Sequence, residues 1–279
     1  MPELPEVETV RRDLQESVVG LTVMSARVFR SDVLCDTRPC DLEQALAGRR
    51  IEATDRLGKN LILRFSGGPA LIVNLGMTGQ FYVAEGGGEP PEHTHVVLEL
   101  SDGARLLFRD MRRFGHVELV ADGQVGESTS LQNVGVDACA RAFTAGKLVA
   151  LLAGRTGLLK SALMDQSLVA GLGNIYACEV MHRAGLSPRL RCHRLSEEQI
   201  KSLHRAIKQV LSSAIKAQGT TLSDDGYVTG RNLPGGFQRR LRVYGREGEP
   251  CRCPGCGHEI RRIVQANRST FYCPGCQGD

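Results

Sequence analysis

The residues able to do chemistry sit near the two ends of the chain. Toward the carboxyl end, Cys253-Pro-Gly-Cys256 and Cys273-Pro-Gly-Cys276 are two Cys-x2-Cys knuckles separated by sixteen residues. Four thiolates at that spacing can close a tetrahedral shell around one zinc ion. No position is left for water, so the spacing predicts a structural metal. Cys251 offers an alternative first ligand through Cys251-x4-Cys256. Cys253 is preferred because both knuckles then share one Cys-Pro-Gly-Cys sequence. His258 is a weaker competitor, since the four cysteines already complete the shell. Between the knuckles runs Arg261-Arg262-Ile263-Val264-Gln265-Ala266-Asn267-Arg268, a basic hairpin suited to phosphate or groove contact. At the amino end, removal of Met1 would make Pro2 a terminal secondary amine. A free α-amino group has a pKa of about 7.7–8.0 against about 10.4 for Lys. It therefore needs less tuning to act as a nucleophile. Glu3 beside it supplies a carboxyl able to move protons. Glu6 reads either as a supporting carboxylate or as a charge stabilising a helix start.

The 279-residue chain carries 35 basic and 31 acidic side chains, a net charge of +4 that by itself predicts no partner. Its distribution does more. Residues 226–272 hold nine Arg, no Lys and three acids, so this segment is +6 and the remainder is 4 − 6 = −2. An Arg-only run beside a cysteine cluster favours planar contact with phosphate, and so with nucleic acid. Five of the ten cysteines fall in the last 29 residues. The start bears three Glu and no basic signal region, and no apolar run reaches membrane-span length. A cytoplasmic chain is expected, with cysteines that bind metal rather than pair.

These groups need elements to hold them. Val7, Val10, Leu14 and Val18 predict an amino-terminal helix, with Pro5 in its first turn and Gly20 as its stop. Residues 21–120 read as β-rich. The runs 61–63 and 70–73 are short strands, and 95–100 with 104–108 form a hairpin about Asp102-Gly103. A sandwich or barrel follows. Residues 121–142 are turn-rich. Helices are then expected over 148–152, 158–164 and 175–184. A longer one begins after Ser196, where Ser196 and Gln199 make a capping box. Its stripe is Ile200, Leu203, Ile207, Val210, Leu211 and Ile215. Residues 219–238 read as a long functional loop.

The opening Met1-Pro2-Glu3-Leu4-Pro5-Glu6-Val7-Glu8-Thr9-Val10-Arg11-Arg12 resembles the formamidopyrimidine-DNA glycosylases. So do Arg56-Leu57-Gly58-Lys59, Asn74-Leu75-Gly76-Met77-Thr78-Gly79, Arg112-Arg113-Phe114-Gly115, Gly173-Asn174-Ile175-Tyr176-Ala177 and Arg268-Ser269-Thr270-Phe271-Tyr272-Cys273, in family order over essentially the whole chain. Three positions depart from the pattern. Asn74 stands where the family has His, Met111 replaces a Pro, and the first knuckle region is longer.

The resemblance implies an α+β multidomain protein. It has an amino-terminal helix plus β-sandwich (1–125), a linker (126–142), a helical domain with helix–two-turns–helix and a lesion-recognition loop (143–238), and a zinc-finger hairpin (239–279). It implies Pro2 as nucleophile, Glu3 as acid/base, and Lys59 and Arg268 at the phosphates of the extruded nucleotide. Asn174 would contact the DNA backbone, or else cap its helix. Met77, Arg112 and Phe114 would fill the void left in the duplex, and His95 counts among the DNA contacts. Damaged double-stranded DNA is the implied partner, lying in a basic cleft between domains. One structural zinc is implied, with Cys253, Cys256, Cys273 and Cys276 as ligands. The implied function is excision of oxidised purines followed by β,δ-elimination, by a monomer in a bacterial cytoplasm. Two alternatives remain: a relative of endonuclease VIII for oxidised pyrimidines, and a DNA-binding protein without catalysis.

Overall fold

The computed structural model describes residues 2–222 and 226–278. The chain divides into two compact units, one of residues 1–133 with 215–238, the other of residues 134–214 with 239–279.

The first unit starts with α1 (Leu4–Ser17), whose apolar stripe of Val7, Val10 and Leu14 is buried. Beyond it come β1 (Val23–Val28), β2 (Leu34–Cys35), α2 (Pro39–Leu46), β3 (Ile51–Leu57), β4 (Asn60–Phe65), β5 (Ala70–Asn74), β6 (Gly79–Ala84), β7 (Thr94–Leu100), β8 (Arg105–Asp110) and β9 (His116–Val120). They form a four-stranded sheet, β1-β7-β8-β6, and a five-stranded sheet, β2-β9-β5-β4-β3. One apolar core is shared by both sheets and α1, through residues such as Leu61, Val73, Phe81, Leu98 and Phe108. Alternation puts these side chains inward and sets each register. In the expected hairpin, Leu98 faces Leu106 and Val96 faces Phe108, with Ser101 outside both strands.

The second unit contains β10 (Val136–Asp137), α3 (Ala145–Leu152), α4 (Leu159–Met164), β11 (Val169–Ala170), α5 (Asn174–Arg183), α6 (Glu197–Lys216), β12 (Arg261–Gln265), β13 (Arg268–Tyr272) and α7 (Pro274–Gln277). The Ser196 capping box is present: Ser196 N–H donates to Gln199 Oε1 at 2.9 Å, and Gln199 N–H to Ser196 Oγ at 3.2 Å. Ile200, Leu203, Ile207, Val210 and Leu211 are buried as the stripe predicts, while Ile215 is only partly so.

Two boundaries differ from the expected ones. The expected linker is not a free stretch. Buried Glu118 accepts hydrogen bonds from Ser128 Oγ, Thr129 N–H and Ser130 N–H, and Val136–Asp137 pairs with β11. The segment after α6 also belongs with the first unit rather than the helical one. There Val83 N–H donates to Gly230 O, and Tyr227 joins the core under α1. Residues 223–225 of the expected loop lie outside the described residues.

Candidate active site and nucleic-acid interface

In the first unit, Pro2 is buried immediately ahead of α1. Glu3 caps the helix in a reciprocal box: its side chain accepts from the Glu6 backbone, and its own N–H donates to Glu6 Oε2 at 2.8 Å. Both carboxylates are buried. The other Glu6 oxygen accepts Thr220 N–H at 2.7 Å. Glu6 therefore serves both roles considered for it, as a helix-start charge and as a support that ties the 219–222 segment to the amino terminus. Gly219 makes this approach feasible. Its φ is +78°, and a Cβ there would stand 2.9 Å from Glu6 Oε1. Tyr227 donates to Gln218 O at 3.1 Å. Burial, and then the nearby Glu6 charge, push its phenol up, so it stays a donor.

Lys59 occupies the two-residue turn between β3 and β4, where Leu57 pairs with Asn60. Arg56 anchors this hairpin to α1. Its Nε donates to Glu8 Oε2 at 3.1 Å, and its guanidinium to Gly58 O at 2.8 Å. Burial raises the Glu8 pKa, but hydrogen bonds from Arg11 and Arg12, with the Arg56 charge, outweigh it and bring the carboxyl down to about 2.

The loop between β8 and β9 is built on buried Asp110. Its carboxylate accepts Thr78 Oγ1 at 2.5 Å, Arg112 N–H at 3.2 Å and Gly115 N–H at 2.8 Å. Above it Met111, Arg112, Arg113 and Phe114 are all exposed, and the Arg112 guanidinium lies 4.8 Å from the centre of the Phe114 ring. Met77 sits in the turn between β5 and β6. That turn packs on the backbone of Phe114 and Gly115 so closely that a Cβ on Gly76 would come within 2.4 Å of it. The three residues expected to act together thus share one scaffold. Asn74 is spent within it: its amide donates to Asn60 Oδ1 at 2.7 Å and its carbonyl accepts Gly76 N–H at 2.9 Å.

His95 requires a correction. It points into the unit from β7, is 4 % exposed, and its Nε2 lies 2.7 Å from Asp110 O. A ring so placed is buried rather than on the exposed surface, and its hydrogen bond is to the Asp110 loop. The surface position belongs to His93 two residues earlier, whose side chain is 34 % exposed.

In the second unit, Arg268 is exposed at the start of β13, across a two-residue turn at Ala266-Asn267 from Gln265. Both turn residues have positive φ, as a tight hairpin with the natural strand twist requires. Asn174 is the first residue of α5, but Gly173 holds the capping position, so the reading of Asn174 as the cap is corrected. Its side chain instead accepts Lys160 Nζ at 2.6 Å and donates to Ser269 O at 2.9 Å. Lys160 also donates to Thr270 Oγ1 at 2.7 Å. Sequence reasoning missed this buried Lys, because nothing local marks a lysine whose partners lie about a hundred residues away. It also missed Asp110, Arg56 and Glu8, whose Thr78–Asp110 and Arg56–Glu8 bonds join different elements across 32 and 48 positions.

Cys251, Cys256, Cys273 and Cys276 bring their sulfurs within 4.8 Å of one another. Their closest separations, 3.4–3.7 Å, suit a tetrahedral thiolate shell. The expected first ligand is corrected here: Cys251 takes the place assigned to Cys253. Cys253 instead donates its backbone N–H to Cys251 Sγ at 3.4 Å and turns its own thiol toward His182. These four groups would hold one zinc ion, which would supply folding energy to the hairpin that bears Arg268.

The formamidopyrimidine-DNA glycosylase N-terminal domain matches residues 1–117, the H2TH domain of the same enzymes matches residues 134–225, and a zinc finger found in FPG and IleRS matches residues 248–278. The formamidopyrimidine-DNA glycosylase of Cereibacter sphaeroides is 43 % identical over 99 % of this chain and its own full length. The Ruegeria pomeroyi protein of that name is 42 % identical at the same coverage.

The chain belongs to the formamidopyrimidine-DNA glycosylase family.

Among solved structures, the MutM (Fpg) protein of Thermus thermophilus aligns with a TM-score of 0.88 at 41 % identity, covering 100 % of this chain and 99 % of that one. A Lactococcus lactis Fpg mutant in complex with DNA containing Fapy-dG aligns with a TM-score of 0.92 at 34 % identity, each chain covered completely. The same organism's Fpg with DNA containing an abasic site aligns at 0.91 and 33 %, over 99 % of this chain and 100 % of that one. As in the family, the chain combines an amino-terminal catalytic fold, an H2TH domain and a zinc finger. Among the described residues, no helix is long and apolar enough to cross a membrane.

Proposed function

We propose that this protein excises oxidised purines, 8-oxoguanine and formamidopyrimidines, from duplex DNA and then cleaves the strand. The observation carrying this reading is the full-length family match together with the buried Pro2-Glu3-Glu6 start. Once Met1 is removed, the Pro2 amine attacks C1′ of the damaged nucleoside. The C1′–N bond breaks and the base leaves carrying the proton of the attacking amine. The nitrogen lone pair then expels O4′, which takes a proton as the C1′–O4′ bond breaks, and the opened sugar is left as an iminium. That cation draws electrons from C2′. Loss of a C2′ proton expels the 3′-phosphate, and a second elimination expels the 5′-phosphate. Glu3 moves the protons of sugar-ring opening. Glu6 holds Glu3 and the 219–222 segment in register. Lys59, Arg268 and Asn174 hold DNA phosphates. Met77, Arg112 and Phe114 offset the few kcal/mol lost when a nucleotide leaves the stack. The zinc ion takes no part in bond making. The 219–222 segment, tied to the amino terminus through Thr220, lies beside the extruded base. With DNA as substrate, the protein works as a monomer in the cytoplasm, on the nucleoid.

Borohydride added during turnover of an 8-oxoguanine duplex should trap a covalent DNA adduct at Pro2. No adduct from protein shown by intact mass to lack Met1 would overturn the mechanism. Faster excision of thymine glycol than of 8-oxoguanine would move the substrate to oxidised pyrimidines.

A further inference from the structure

The four-cysteine shell leaves one thiol of the finger unused. Cys253 does not point to open solvent. Its Sγ lies 3.8 Å from His182 Nε2, and that nitrogen lies 3.9 Å from Cys251 Sγ. His182 comes from the last turn of α5 and is 6 % exposed. One ligand atom from each of His182, Cys251, Cys253 and Cys276 lies within 4.8 Å of the other three. This is the same mutual closeness that defines the first shell. The two sets share Cys251 and Cys276, whose sulfurs are 3.7 Å apart.

We infer that His182 and Cys253, with Cys251 and Cys276 as bridging thiolates, form a second site for a thiophilic divalent cation beside the structural one. Three sulfurs and one imidazole select zinc or cadmium over the hard, oxygen-seeking ions. Thiolate sulfur has lone pairs enough to bridge two metals. The charge balance favours occupancy. Four thiolates around one dication carry −2. Adding the Cys253 thiolate, a neutral imidazole and a second dication gives −2 − 1 + 2 = −1, so the second ion lowers the charge held in the finger. A cavity of about 430 Å³ opens on His182 and Cys253, so the two residues are reached from solvent. The cause in sequence is the long first knuckle. By placing three rather than two cysteines in 251–256, it frees one sulfur to meet α5.

The test is titration of the zinc-loaded full-length protein with cadmium chloride, counting ions per chain by native mass spectrometry. The wild type should reach two ions. Cys253→Ser and His182→Gln should each stop at one, and should lack the last increment of thiolate-to-cadmium absorption. Cys253 is only partly buried, so its serine variant should fold, and its one retained ion reports an intact finger. A wild type that stops at one ion under saturating cadmium overturns the second site. So does a Cys253→Ser protein that still takes two.

Discussion

At the start of α1 two carboxylates, Glu3 and Glu6, are withdrawn from water to 1 % and 0 % exposure, whereas after β8 Met111 and Phe114 stand 58 % and 57 % exposed. Each region inverts ordinary burial, in opposite directions. The buried acids are stable because Glu3 accepts the Glu6 backbone N–H, while Glu6 accepts the N–H groups of Glu3 and Thr220. The exposed apolar residues hold their position because Asp110, beneath them, accepts the backbone N–H groups of Arg112 and Gly115 and the Thr78 hydroxyl. The comparison separates two tasks. Chemistry needs acids shielded and oriented, and opening a duplex needs a stiff apolar wedge on the outside.

Substitutions can break that contrast. Glu3→Gln keeps an oxygen for the cap but loses the acid. Excision should fall by about 10²–10⁴-fold while the melting temperature stays nearly constant, measured by single-turnover kinetics and calorimetry. A fall below threefold would make Glu3 only a cap. Asp110→Ala strands buried donors, so it should cost about 1–3 kcal/mol of stability and also weaken lesion binding. Phe114→Ala should weaken binding to lesion duplex by about 1–3 kcal/mol, the range for stacking on a base, with no loss of stability beyond about 0.5 kcal/mol. If it destabilises the fold instead, the loop is a packing element and the contrast fails. Arg268→Ala, outside both regions, should reduce the slope of log binding constant against log salt by about one. The smallest effect concerns pH. The Glu8 pKa is depressed from 4.5 to about 2 on folding, so its contribution is present above about 4.5 and is lost as pH falls toward about 2. Glu8→Gln should flatten the stability profile in that window, read from urea midpoints.

The readings that held share one property: their causes lie within a few residues. The Ser196–Gln199 box, the buried stripe of α6 and the basic hairpin between the knuckles all follow from local geometry. The misplaced residues depended on distant partners. His95 lies at the irregular step between Thr94 and Val96 in the pairing of β7 with β8, so strand alternation alone does not place its ring. The alternative reading of Asn174 as a helix cap gave way to Gly173, and the Asn174 side chain meets Lys160 and Ser269 instead. Cys253 matched the second knuckle letter for letter, yet its backbone N–H serves Cys251 and its sulfur meets His182.

By itself, the sequence determined the family, the presence of a zinc finger, the ordered set of site motifs and most helices and strands, because these are written in residue type and short spacing. Only the tertiary structure decided which cysteine closes the zinc shell and that 215–238 folds with the amino-terminal unit. It also revealed that Glu6 reaches across 214 residues to Thr220. Each of these rests on a hydrogen bond or metal-ligand distance between remote segments, and such distances exist only once packing has brought the segments together.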